Sequence, residues 1–205
     1  MRQKHLILAA RLISVIFTPF YLPIVGLIVL FLFSYMSMLP WSYKLFVLLL
    51  VWLFTILLPV LLIRMYRRSQ GWNLFELGYR ERRMVPYIIS ILCYFCCFYV
   101  MNLFHVSRFI SCIPVAALVI QMTCAIINVW HKISTHTAAI GGMAGALIGF
   151  SVIFAFNPVW WFCILLLIAG LVGTSRMILR QHSLSQVVAG FLVGFVCAYF
   201  IVCHS

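Results

Sequence analysis

The chain is a succession of apolar stretches, each close to the length that crosses a bilayer, and this spacing dictates most of what it can fold into. A hydrocarbon core about 30 Å thick takes about 20 helical residues per crossing. The apolar runs fall at about 12–37, 43–65, 86–104, 109–130, 138–156, 158–174 and 186–203. They are too long for barrel strands and show no two-residue alternation. The predicted fold is therefore all-α, an integral membrane helical bundle of about seven transmembrane helices (six to seven). Within 205 residues such spans leave only tails and loops, so residues 1–205 read as a single transmembrane domain. Pro19, Pro23 and Pro59 lie within the first two runs and predict kinks there, while Asn157-Pro158 predicts the turn between the fifth and sixth. Gly141, Gly145 and Gly149, and again Gly190 and Gly194, recur at fours and predict close helix–helix contact.

Charge comes next, because it is scarce and one-sided. Only 8% of residues are charged, and 14 Lys+Arg face two acids, Glu76 and Glu81. Alternating crossings put the N-terminal tail and the loops near 66–85, 131–137 and 175–185 at one end of the bundle. That end collects all the basic residues except Lys44 and Arg108. Lipid headgroups absorb part of such a charge in any multi-pass protein. All eight cysteines lie inside apolar runs and read as small hydrophobes, and Cys93, Cys96 and Cys97 have no second pair with which to hold zinc. No metal site is expected.

Three stretches at the basic end carry reactive side chains. Residues 130–137 read Trp-His-Lys-Ile-Ser-Thr-His-Thr before an apolar run; a helix N-terminus with Ser134 and Thr135 as extra donors suits an anion. In the second, Ser175-Arg176 is followed by His182 and, four residues later, Gln186, a spacing that predicts the two side chains on one helical face. In the third, Arg80 and Arg83 lie three apart just before a helix that opens at Pro86. Taken singly, the arginines read as headgroup anchors and the histidines as structural. Two histidines gathered with arginines, a lysine and hydroxyls at one end are what phosphoryl transfer requires.

These stretches resemble the three-part signature of the type 2 phosphatidic acid phosphatase superfamily: Lys, six residues, Arg-Pro; Pro-Ser-Gly-His; and Ser-Arg, five residues, His, three residues, Asp. The third part matches as Ser175-Arg176, His182 and Gln186, and the second as Ile133-Ser134-Thr135-His136. The first is degenerate, with Arg83 for its arginine and Arg80 in place of its lysine, so the resemblance covers about 80–190. It implies that His182 attacks phosphorus and forms a phosphohistidine, while His136 protonates the leaving oxygen. Arg176, Arg83, Ser134, Thr135, Lys132 and Arg80 would hold the phosphoryl oxygens, without metal or cofactor. Gln186 stands where the family has aspartate; it can orient the ring but brings no negative charge.

The implied activity is hydrolysis of a lipid phosphate or diphosphate, with isoprenoid diphosphate, phosphatidylglycerol phosphate, phosphatidic acid and lipid A phosphate fitting equally. The alternative is a non-catalytic protein that binds or transports anionic lipids. Expected partners are the lipid substrate and membrane lipids, not nucleic acid, and the expected location is the cell membrane, of the bacterial inner-membrane kind. The excess of Lys/Arg outside the site favours a cytoplasmic site, whereas many members of the superfamily face the other side.

Overall fold

The computed structural model describes residues 2–71 and 84–205, and among these every regular element is helical. The order is α1 (Arg2–Ile16), α2 (Leu22–Phe33), a 3-10 turn (Tyr35–Met38), α3 (Trp41–Trp52), a π turn (Leu53–Leu57), α4 (Leu58–Gln70), α5 (Met84–Leu103), α6 (Arg108–Trp130), α7 (Thr135–Phe154), α8 (Val159–Ile178) and α9 (Leu184–Cys203). Among the described residues six helices are long and apolar enough to cross a membrane: the continuous rod Trp41–Gln70 and α5 to α9. Large apolar side chains such as Leu167, Leu192 and Phe200 face outward, as expected where lipid replaces water around the bundle.

The first apolar run departs from its predicted form, a single kinked span. Pro19 bars Thr18 from the helical region and ends α1, whereas Pro23 sits in the first turn of α2, where a missing N–H costs nothing. Two prolines four apart thus end one helix and begin another. The Thr18 hydroxyl donates to the Val15 carbonyl, 2.6 Å away, and takes up one acceptor at the broken end. Pro59 has the opposite outcome. The π turn over Leu53–Leu57 precedes it, and the rod runs on to Gln70; the wider turn accommodates the missing donor and the ring.

Helices α7 and α9 lie side by side in the same direction, since Gly141 meets Phe191, Gly145 meets Phe195 and Gly149 meets Val202. A Cβ built on Gly145 would land on the Phe195 carbonyl, and one on Gly194 would land on that of Ala138. The backbones touch only because these positions have no side chain. Gly145→Val is expected to push the helices apart and lower stability by about 3 kcal/mol, read as thermal unfolding of the purified protein in detergent.

Parallel α7 and α9, joined through α8, bring residues 134–137 and 182–186 to one end. Leu27, Phe31, Val47, Met101, Ile110, Phe150 and Val202 pack together at the opposite end, which is thus shared by the ends of α5, α7 and α9 and the start of α6. At the first end lie Lys132, Arg176 and Arg180. Arg11 of α1 sits beside Ile178, Leu179 and Arg180. At the other end Arg108 opens α6, and the Lys44 ammonium donates to the Ser37 carbonyl at 2.6 Å above the Trp41 ring.

Candidate active site

One helix end and two helix starts build the site. In the last turn of α8, Ser175 and Arg176 are both buried, Arg176 with 8% of its surface exposed. The Ser175 hydroxyl donates back to the Leu171 carbonyl at 2.7 Å. The chain then turns through a Schellman pair: Gln181 N–H donates to the Arg176 carbonyl at 3.1 Å and Arg180 N–H to that of Met177 at 2.8 Å. Arg180 occupies the left-handed position of this turn, with φ +52°. Glycine is the usual residue there, and a side chain costs about 1 kcal/mol. Arg180→Gly is expected to raise stability by about that amount in thermal unfolding. The turn leaves His182 buried, with 7% of its surface exposed.

Helix α9 then opens with a reciprocal cap. Ser183 Oγ accepts the Gln186 N–H at 3.4 Å, and Gln186 Oε1 accepts the Ser183 N–H at 3.3 Å. The same Oε1 lies 3.1 Å from His182 Nδ1. Because that atom accepts a main-chain N–H, the network assigns it as the amide oxygen rather than the nitrogen. An amide oxygen can only accept, so His182 Nδ1 carries the proton and donates it. The other ring nitrogen, Nε2, is left with its lone pair.

At the start of α7, Ser134 is wholly buried and caps the helix: its Oγ accepts the Thr137 N–H at 3.5 Å, and Thr137 Oγ1 donates to the Ser134 carbonyl at 3.1 Å. A cap uses only an acceptor lone pair, so the O–H of Ser134 stays available as a donor. The Ser134 N–H donates to the Gln186 carbonyl at 3.4 Å and ties the second stretch to the third. Gln186 therefore touches His182 and Ser183 through its side chain and Ser134 through its main chain. Gly190 belongs to the same junction, since a Cβ there would meet the Ser134 carbonyl at 2.5 Å. Lys132, Thr135 and His136 are half-buried and His131 is exposed.

The predicted contact between His182 and Gln186 forms, but not on a shared helical face. His182 precedes the N-cap of α9, and Gln186 reaches back to it through the capping box. Ser183 had no role in the sequence reading, although Ser-x-x-Gln before an apolar run is the pattern that marks such a cap. Arg80 and Arg83, with Arg82 beside them, lie outside the described residues. Neither acid of the chain, Glu76 nor Glu81, is among the described residues, which hold no cluster of His, Cys, Asp and Glu able to bind a metal.

The fold and this junction define a multi-pass helical membrane protein with a basic, histidine-centred site at one end of the bundle. Residues 121–204 match the model of the PAP2 superfamily. The match runs from Gln121 in α6 into the end of α9 and takes in both histidine stretches, while Arg80 and Arg83 lie before it. Comparison with curated proteins and with solved structures finds no match.

Proposed function

We propose that the protein is a membrane phosphatase that hydrolyses a lipid phosphate or diphosphate through a phosphohistidine. The observation that supports this reading is the Gln186 Oε1 contact, which holds the His182 proton on Nδ1 and so puts the lone pair on Nε2, the nitrogen that attacks phosphorus in this mechanism. In the first step Nε2 bonds to phosphorus, the bond from phosphorus to the lipid oxygen breaks, and that oxygen takes a proton from His136. In the second, a water oxygen bonds to phosphorus as the P–Nε2 bond breaks and its electron pair returns to His182; the water gives a proton back to His136, and phosphate leaves. Arg176, Lys132, Ser134, Thr135, Arg83 and Arg80 serve as the cations and donors that meet charge developing on the equatorial oxygens. The substrate is a lipid of the isoprenoid diphosphate, phosphatidylglycerol phosphate, phosphatidic acid or lipid A type, and the membrane is a bacterial inner membrane. Glutamine at position 186, neutral where the superfamily's pattern carries a carboxylate, favours a second reading, in which the same end holds anionic headgroups without turnover.

Phosphate release from a panel of lipid phosphates by the purified protein separates the two readings. Release that persists in chelator and is inhibited by vanadate is expected. Binding without release on every member of the panel would favour the second reading, and strict dependence on magnesium would overturn the mechanism.

A further inference from the structure

A cavity of about 440 Å³ lies between α2, α6, α7 and α8. Its α7 wall includes the stripe Thr135, Ala139, Met143, Ala146, Phe150 and Phe154, spaced by threes and fours along one face, with Gly142 and Leu147 beside it. Thr135 and Phe154 are the first and last residues of α7. At 1.5 Å per residue the stripe is about 28 Å long, close to the thickness of a bilayer's hydrocarbon core. The cavity thus begins in the turn that carries Ser134 and His136 and runs most of the way through the bundle. No charged side chain lines it among the described residues.

At Gly26 the space is kept open by a residue that has no packing reason to be small, whereas Gly142, on the α7 side, is held small by Ile120. A Cβ on Gly26 of α2 would meet only Ile113, at an ordinary 3.7 Å, unlike Gly145, whose Cβ would collide with backbone. The cavity is partly open at the surface of the bundle, so an apolar chain can enter it from the surrounding lipid. Its volume suits about 15 methylene-sized groups, taking about 30 Å³ for a group the size of water. That is room for one hydrocarbon chain and not for two.

We propose that this cavity holds the apolar chain of the substrate, and that the enzyme acts on lipid phosphates carrying a single chain, alkyl or prenyl, of about that length rather than on diacyl lipids. The assignment rests on the phosphatase reading for its headgroup and on the continuity at Thr135 for its tail. Chain selection then comes from the fit inside the bundle, because moving a tail from lipid to an apolar cavity brings little hydrophobic gain of its own.

The test compares phosphate release by the full-length wild type, Gly26→Leu and Ala146→Leu on hexyl, decyl, tetradecyl, icosyl and farnesyl phosphates and on phosphatidic acid. In parallel, thermal shifts are read with alkylphosphonates of the same chain lengths, which bind without being hydrolysed. For wild type, kcat/KM is expected to rise at least tenfold from hexyl to tetradecyl phosphate and to fall at least tenfold for icosyl phosphate and phosphatidic acid. The tetradecyl and farnesyl arms separate a saturated from a prenyl preference. Each plug variant should lower the tetradecyl-to-hexyl ratio at least tenfold, and the phosphonate shifts should follow the same order. Phosphate release with no chain-length optimum in either readout, or plugs that act on all chains alike, would overturn the cavity assignment and leave the phosphatase reading intact; a cavity occupied by a bilayer lipid gives that flat profile. A chain-length optimum in the thermal shifts with no phosphate release would remove the phosphatase reading and keep the assignment.

Discussion

Replacing His182 by alanine is expected to lower phosphate release by about a thousandfold or more and to abolish any acid-labile phosphoenzyme, because the proposed mechanism has no other covalent nucleophile. The loss should be chemical rather than structural. His182 precedes the Ser183 cap and lies outside α9, so its removal leaves the Ser183–Gln186 box and the Ser134–Gln186 link in place. The comparison that gives this result meaning is His136→Ala. If His136 is the general acid, its loss should slow release of an alkoxide far more than release of an activated aryl oxide, which departs without a proton. A His182→Ala protein that still traps phosphate covalently would remove residue 182 as nucleophile, and equal losses on both leaving groups would remove His136 as acid.

How much of this is legible in the sequence depends on the range of the interaction involved. The long apolar runs are set by bilayer thickness alone, and all six membrane-length helices of the described residues follow the last six runs closely. The first run could not be read that way. Hydropathy does not register that Pro19 and Pro23 together unseat a helical turn, although the local rule that each obeys is simple. Prolines also mislead in the other direction, since Pro59 is absorbed by a π turn, which lies against α5. The small-residue spacing of Gly141, Gly145 and Gly194 marks a close contact, yet its direction, α7 parallel to α9, comes only from the α8 crossover. The site shows the same division. Alternating crossings alone gather the stretches 131–137 and 175–185 at one end, but the reason Gln186 meets His182 lies in a competition between helix phase and capping. Running the helix back through residue 182 puts the two on one face; Ser183 stops it one residue later and makes the contact by a different route.

That route determines what is expected of Gln186. Gln186→Ala removes the one oxygen that accepts from both His182 Nδ1 and the Ser183 N–H. The imidazole is then free to rotate or to shift its proton to Nε2, which would quench the nucleophile, so turnover should fall about tenfold or more with little change in substrate binding. Half of the capping box goes with it, at about 1 kcal/mol of stability. Gln186→Glu should behave in the opposite way. A carboxylate of the same reach accepts from both donors, glutamate is a natural partner in a capping box, and its charge sits favourably at the N-terminus of α9. Beside a ring that becomes cationic on attack, it should hold turnover at the wild-type level or raise it. Ser183→Ala separates orientation from capping, because it weakens the same helix start by about 1 kcal/mol without touching the His182 contact. If Gln186 orients the nucleophile, Gln186→Ala and Ser183→Ala should lose similar stability while only the former loses turnover. A Gln186→Ala protein as destabilised as Ser183→Ala but fully active would show that residue 186 does no more than cap α9, and would remove it from the site.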